Sequence, residues 1–157
     1  MPEEKKRKGI IAFDPGKAGG AAIMHRGASP CPIELSSFQT ESGYLSLIDG
    51  LDRGSYEVVV EDVPAFVSAV TSNASSFKLG YNFGFIVGMS RALGFATHLL
   101  RPQTWQKGLS GLKPKMGYTE RKRMLKDNAI RLYPSLKITN ATADALLIAD
   151  YWDRWKQ

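Results

Sequence analysis

Short apolar runs separated by turn residues mark the first part of the chain. Residues 9–14 are apolar and end at a Pro-Gly turn, and residues 20–26 and 33–38 follow as two more such runs. A turn cluster rich in glycine, serine and proline separates the second run from the third. Apolar runs bounded by turn residues are typical of strands. The first 38 residues are therefore predicted to form three strands.

The rest of the chain alternates between helical and strand patterns. Apolar residues recur every three to four positions in four segments, and this spacing predicts helices over residues 40–51, 73–93, 119–133 and 141–156. Two runs between them, residues 58–61 and 95–100, are predicted as strands. Three strands followed by alternating helices and strands predict an α/β fold. Its mixed five-stranded sheet carries helices on both faces, which is the layout of an RNase H-like fold.

Length and cysteine content restrict the class of protein. A chain of 157 residues suits one domain, which we place at residues 9–157 after a basic segment over residues 1–8. A single cysteine, Cys31, excludes an internal disulfide framework, and no apolar run approaches the length of a membrane span. We expect a cytoplasmic protein with no membrane contact.

Charge is unevenly distributed along the chain. The net charge of +6 divides into −1 for residues 1–99 (9 basic, 10 acidic) and +7 for residues 100–157 (12 basic, 5 acidic). A local basic excess is what a polyanion-binding face requires, and a well-solvated surface is the alternative.

Three carboxylate positions stand where a buried element begins or ends. Asp14 ends the first strand before the Pro-Gly turn, so it either serves a site or belongs to ordinary turn chemistry. Glu61 ends the fourth strand and Asp62 follows it, and successive strand side chains point to opposite sides. Only one of these two neighbours therefore faces a given site, and the sequence leaves open which one does.

Asp144 shares the apolar stripe of the last predicted helix. Ile148, Tyr151 and Trp155 lie four, seven and eleven residues further on. A carboxylate on such a stripe is paired, neutral or bound to a metal, and capping of the helix is the alternative role.

A cluster of such acids favours divalent cations. Carboxylates about 4 Å apart repel by roughly 4 kcal/mol at an effective dielectric of 20, so cations between them stabilise the cluster. Two hard cations held by carboxylate oxygens can activate water and stabilise the leaving oxygen of a phosphodiester. Zinc is disfavoured because His25 and His98 are isolated in the sequence.

Four segments of the chain recur, in this order, in the RuvC-like Holliday-junction resolvases: residues 11–16 (IAFDPG), 59–63 (VVEDV), 77–84 (FKLGYNFG) and 143–149 (ADALLIA). The resemblance covers most of residues 9–152 and is greatest to the phage and organellar branches. It implies an RNase H-like fold, a homodimer, and symmetric cutting of four-way DNA junctions with two Mg²⁺ or Mn²⁺ ions per site. It also implies that Asp14, Glu61 and Asp144 are the catalytic, metal-binding acids.

The chain departs from the family pattern in two places. The family usually has a fourth metal ligand, Asp or His, three or four residues before the last aspartate, where this chain has Ala141 and Asn140. Asn140 is the candidate for that position through its amide oxygen. The bacterial members carry an aromatic residue three positions after the glutamate, where this chain has Pro64. Phe66 is the nearest substitute for contact with the junction, with loop packing as the alternative.

Basic residues around a glycine-rich loop are the candidate DNA contacts. Phosphate contacts of this kind position DNA without reading its sequence, and an exposed helix face is the alternative for the helical members. Trp105 beside this loop either stacks on a base or packs in the core. The candidates are Lys17, Arg101, Lys107, Lys113, Lys115, Arg121, Lys122, Arg123 and Lys126.

Three glycines four residues apart, Gly80, Gly84 and Gly88, interrupt the long predicted helix. Each costs a helix about 0.5–1 kcal/mol relative to alanine, which implies a close approach by another element. That element is either the sheet beneath or the same helix of a second subunit, and a two-fold dimer suits a two-fold junction.

The sequence as a whole predicts a metal-dependent endonuclease that resolves four-way DNA junctions and takes no small-molecule substrate. Two alternatives remain: a junction-binding module that has lost catalysis, and an RNase H-like nuclease for flaps or RNA–DNA hybrids.

Overall fold

A computed structural model describes residues 8–37, 40–64 and 72–155. Within them, the strands are β1 (Gly9–Asp14), β2 (Gly20–Met24), β3 (Ile33–Ser37), β4 (Tyr56–Glu61) and β5 (Ala96–Leu100). The helices are α1 (Glu41–Ile48), α2 (Asn73–Ala92), α3 (Pro102–Trp105), α4 (Tyr118–Leu132) and α5 (Asn140–Trp155). None of the described helices has the length and apolar character needed to cross a membrane.

The strands form one mixed sheet in the order β3-β2-β1-β4-β5. β1, β2 and β3 pair antiparallel, while β4 runs parallel to β1 and β5 runs parallel to β4. Helices cover both faces, so the predicted mixed sheet with helices on two sides is confirmed.

Alternating side chains divide the sheet between two apolar layers. Ile10, Ala12 and Val59 belong to the layer that α3, α4 and α5 complete. Ile11 and Phe13 belong to the opposite layer, under α1 and α2. Successive side chains of a strand point to opposite faces, so every second residue of a strand forms one series that faces the same layer. The face of a residue at a strand end follows from the series to which it belongs.

Helix α2 presents its three glycines to open space. A Cβ atom added at Gly80, Gly84 or Gly88 meets nothing within 4 Å among the described residues. Of the two elements that could approach these glycines, the sheet beneath is therefore excluded within the described residues, and the helix of a second subunit stays a prediction. Phe77 and Tyr81 stand on the same helix with 76% and 51% of their surface exposed.

Candidate active site

Asp14 is fixed at the end of β1 by the turn that follows it. The residue is only 5% exposed, and its Oδ1 accepts a hydrogen bond from the Gly16 amide at 3.0 Å. The chain then turns sharply back into β2. A Cβ at Gly19 would lie 2.1 Å from the Asp14 carbonyl oxygen, so only glycine allows this approach.

Glu61 stands beside Asp14 on the same face of the sheet. The parallel register pairs Phe13 with Val60, which brings the next residues, Asp14 and Glu61, to neighbouring strand ends. Glu61 continues the series of Val59, whose side chain lies in the layer beneath α5. Asp62 belongs to the other series, and its Oδ2 lies 3.9 Å from Arg101 Nε. The choice left open by the sequence therefore falls on Glu61.

Asp144 reaches the same place from the first turns of α5. Thr139 and Thr142 cap this helix reciprocally, with each backbone amide donating to the other's Oγ1 at 3.0 and 3.3 Å. Capping is therefore not the role of Asp144, which is 5% exposed. Gly20 of β2 permits the approach of α5, because a Cβ there would lie 2.3 Å from the Ala141 carbonyl oxygen.

Lys122 of α4 supplies a positive charge inside the acidic cluster. Its ammonium donates a hydrogen bond to Asp144 Oδ2 and lies 3.9 Å from Asp14 Oδ2. The sequence placed Lys122 among the DNA contacts, and the structure brings it to the carboxylates. A signal for this was present, since Lys122 is three and seven residues before the buried Leu125 and Ala129 and so shares their face.

The cluster shifts the proton affinities of its members. Burial, and then the neighbouring Asp144 carboxylate, raise the pKa of Asp14 to about 6. Burial, and then the charges of Asp14 and Asp144, raise the pKa of Glu61 to about 8. Burial opposes the charge of Lys122, but Asp144 and Asp14 outweigh it and raise the pKa of this lysine well above its ordinary value.

The cluster has the donor chemistry of a hard divalent cation. Asp144 Oδ1 is buried and has no hydrogen-bond partner in the described part of the chain. A buried oxygen of this kind requires a cation or a hydrogen-bond donor. Carboxylate oxygens from Asp14, Glu61 and Asp144 are the ligands that Mg²⁺ and Mn²⁺ prefer. As placed, no three acidic, His or Cys side chains of the described residues are close enough to hold an ion together. Lys122 stands instead between two of the acids.

A groove of about 720 Å³ opens beside Asp14 and Lys122. Its walls are the turn after β1 and the exposed side of α4, and Asn140 at the start of α5 completes it. Four of the predicted DNA contacts line this groove: Lys17, Lys122, Arg123 and Lys126. Asn140 lies one helical turn before Asp144, so it remains the candidate for the fourth ligand.

The other predicted contacts lie along or behind the loop between α3 and α4. Lys107, Lys113 and Lys115 are exposed on that loop, and Arg101 is exposed beside Asp62. Arg121 instead donates to Gln106 Oε1 at 2.7 Å and to the Lys113 carbonyl at 3.1 Å, so it holds the loop against α4. Phe66 lies outside the described residues.

The loop is also fastened by a buried amide that sequence reasoning missed. Asn128 Oδ1 accepts from the Ser110 amide at 3.0 Å, and Asn128 Nδ2 donates to the Ser110 carbonyl at 2.8 Å. An asparagine in a basic helix carries no sequence signal for such pairing. Trp105 is buried in the core, as one of its two predicted roles has it, and its indole also donates to Glu61 Oε2 at 3.1 Å, a contact that the sequence did not predict.

These elements define an RNase H-like domain with acidic residues at the ends of β1 and β4 and in the first turns of α5. This fold is that of the RuvC-like Holliday-junction resolvases. The chain is similar to the T. thermophilus RuvC in complex with Holliday junction substrate, with a TM-score of 0.62 and 16% identity over 95% of this chain and 96% of that one. A Thermus thermophilus RuvC structure is also similar, with a TM-score of 0.58 and 16% identity over 94% of this chain and 96% of that one.

The yeast mitochondrial Holliday junction resolvase Ydc2 is a further structural relative. It gives a TM-score of 0.54 and 12% identity over 96% of this chain and 79% of that one. No protein-family model matches the chain. No curated protein matches it either. Similarity at these identities establishes the fold, and the roles of individual residues rest on the geometry above.

Proposed function

We propose that this protein is a metal-dependent endonuclease that cuts four-way DNA junctions symmetrically as a homodimer. The observation that carries the proposal is the convergence of Asp14, Glu61 and Asp144 beside a basic groove. Structures with the same fold support the choice of substrate, since their names describe Holliday-junction resolvases and one of them is in complex with a junction.

The residues of the site have separate roles in this proposal. Asp14, Glu61 and Asp144 would hold the divalent ions, with Asn140 as a weaker oxygen ligand at the rim. Ions held there would supply an activated water and stabilise the leaving oxygen of the phosphodiester. Lys17, Arg123 and Lys126 contact phosphates along the groove and orient the strand.

The second subunit is proposed from the exposed face of α2. Gly80, Gly84 and Gly88 leave the helix backbone open, and the exposed rings of Phe77 and Tyr81 stack with centroids 6.4 Å apart beside them. An exposed apolar face with small residues suits close packing of the same helix from a two-fold partner. Two such subunits would present two acidic centres, each made of Asp14, Glu61 and Asp144, to the two-fold junction.

Cleavage of a labelled four-way junction tests the proposal. We expect paired nicks in Mg²⁺ or Mn²⁺, none in EDTA, and weak or no cutting of a linear duplex, a flap or an RNA–DNA hybrid. Asp14→Asn abolishes cutting and keeps the band shift. The matched control is Asp62→Asn, since Asp62 follows Glu61 but faces away from the acidic cluster, and this variant keeps both cutting and the band shift.

Two outcomes would overturn the proposal. A band shift without product in either metal identifies a binding module that has lost catalysis. Preferential cutting of flaps or hybrids identifies a different RNase H-like nuclease. Retained cutting by Asp14→Asn would contradict the role given to that carboxylate.

A further inference from the structure

Trp105 occupies an unusual position for a core residue. It ends α3 with 1% of its surface exposed and packs in the same apolar cluster as Leu125 of α4 and Leu147 of α5. Its single polar atom, Nε1, donates to Glu61 Oε2 at 3.1 Å. A buried indole N–H requires an acceptor. In this molecule that acceptor is an acid of the candidate metal site.

The hydrogen bond from Trp105 restrains the side chain of Glu61. Glu61 is repelled by the two aspartates beside it, and its flexible side chain has several rotamers available. The indole N–H of Trp105 is a neutral donor fixed in the core, so it favours the Glu61 rotamer that accepts its hydrogen bond and adds no charge to the site. Ligating carboxylates in metal sites are commonly held by such outer partners, whose loss costs about 10–100-fold in metal affinity or activity.

The element that carries Trp105 is itself firmly held. Pro102 opens α3, and the Trp105 amide donates to the Arg101 carbonyl at 3.3 Å. Directly after Trp105, Gln106 is bound by Arg121 of α4. The indole is therefore fixed from the core side and from the loop that carries Lys107, Lys113 and Lys115.

We propose that Trp105 is a positioning residue of the acidic centre: the indole N–H of Trp105 orients the Glu61 carboxylate for a divalent cation. The inference rests on the proposed function only in assigning Glu61 as a metal ligand. It makes no use of the DNA substrate, so metal binding tests it without any cleavage assay.

The chain contains a matched control on the same strand. Trp152 of α5 donates through Nε1 to Glu57 Oε1, also at 3.1 Å, at the opposite end of β4 from Glu61. The two tryptophans thus make the same type of hydrogen bond to glutamates four residues apart. Replacing each by phenylalanine removes the same N–H, and only one of the two lies at the acidic centre.

Manganese binding to the wild type, Trp105→Phe and Trp152→Phe, measured by electron paramagnetic resonance of free Mn²⁺, tests the proposal. We expect Trp105→Phe to weaken Mn²⁺ binding by about 10–100-fold, whereas Trp152→Phe leaves it within about twofold of the wild type. Trp105→Phe should not weaken binding further in a Glu61→Ala background, because the interaction it removes is already absent. In the cleavage assay the half-saturating Mn²⁺ concentration rises, and excess Mn²⁺ restores the rate.

A second variant separates the N–H from the volume of the ring. Benzothienylalanine at position 105 keeps the bicyclic ring and replaces the N–H by sulfur, so the core stays filled and the folded variant should reproduce the loss of Mn²⁺ affinity. Equal Mn²⁺ affinity for this variant and the wild type would overturn the inference, even if Trp105→Phe fails to fold. A wild type that binds Mn²⁺ but does not cut junctions would refute the proposed function and leave this inference standing.

Discussion

Lys122 gives the acidic centre its own counter-ion. Its ammonium lies between Asp14 and Asp144, which would otherwise face each other as buried, repelling carboxylates. A buried carboxylate is stable only when it is paired, protonated or bound to a cation. A divalent ion held by these two acids would therefore compete with the lysine for the same oxygens.

Lys122→Met should strengthen metal binding while it destabilises the metal-free protein. Removal of the competing ammonium is expected to tighten Mn²⁺ binding by about tenfold, or about 1.4 kcal/mol. The metal-free melting temperature falls at pH 8 because two carboxylates lose their partner. Lys126→Met, on the same wall of the groove, is the control for calorimetric titration with Mn²⁺. Unchanged or weaker binding by Lys122→Met would contradict the competition.

The raised carboxylate pKa values predict that the metal-free protein loses stability as the pH rises. A group whose pKa is higher in the folded state stabilises the fold below its unfolded pKa, near 4, and loses that contribution as the pH passes its folded pKa. For Asp14 and Glu61 the pKa values in the folded protein are about 6 and about 8, so the loss falls between about pH 4 and pH 8.

Urea unfolding in EDTA measures this loss. We expect the unfolding free energy to fall by at least about 1 kcal/mol across that window, since one pKa unit is worth about 1.4 kcal/mol. Glu61→Gln should flatten the upper part of the profile, and added Mg²⁺ should restore the wild type at pH 8. A profile that rises with pH would show that the acids are not held in this way.

At the scale of elements, strand ends and helix starts bring the acids together. β1 and β4 are parallel neighbours, so their carboxyl ends lie side by side. α5 begins next to them because Gly20 has no side chain and lets this helix approach β2. The loop between α3 and α4 is held on the other side of α4 by Arg121 and Asn128. The site is thus built by strands and helices, and the loop beside them carries the lysines proposed to contact DNA.

Asn128→Leu should release this loop without altering the acidic centre. The variant keeps the side-chain volume and removes the amide that pairs with Ser110. Unpaired backbone groups in a partly buried place cost about 1–3 kcal/mol, so the loop opens more often. We expect faster hydrogen exchange at the Ser110 amide and several-fold weaker junction binding, with an unchanged rate for the saturated complex. Retained exchange protection at Ser110 would contradict the role of Asn128.

Local patterns predicted most elements because their ends carry turn or cap residues. Residues 9–14 were predicted with the bounds that β1 has, and the helix predicted over residues 40–51 is capped by Thr40 and ends before Gly50, which has a positive φ. Helix α3 escaped prediction because four residues show no period. The contact between Trp105 and Glu61 spans 44 residues, so only the packed structure reveals it.

At the scale of the whole molecule, the exposed face of α2 and the groove beside the acidic centre differ in chemistry. The groove is lined by basic side chains such as Lys17 and Arg123, while Gly80, Gly84 and Gly88 present open backbone beside stacked aromatic rings. The proposed dimer assigns the second surface to another copy of this chain.

Gly84→Gln tests that assignment. The larger side chain meets open space within the chain and favours the helix by about 0.5–1 kcal/mol, so the subunit remains folded. It obstructs close helix packing between subunits, and we expect a monomer in sedimentation velocity at micromolar concentration. Lys78→Gln, about 120° around the same helix, is the control and should remain dimeric. A dimer of unchanged affinity in Gly84→Gln would refute the interface.

The position of Asp144 in α5 has a consequence for the order in which the protein is made. Residues 142–150 of this helix are all buried, and they cover Ile10 and Ala12 of the first strand. A nascent chain on the ribosome lacks both this cover and the third acid until α5 has been synthesised. The hydrophobic layer and the acidic centre are therefore completed by the same late step. A chain that still lacks α5 therefore leaves this apolar layer uncovered and is without one of the three proposed metal ligands.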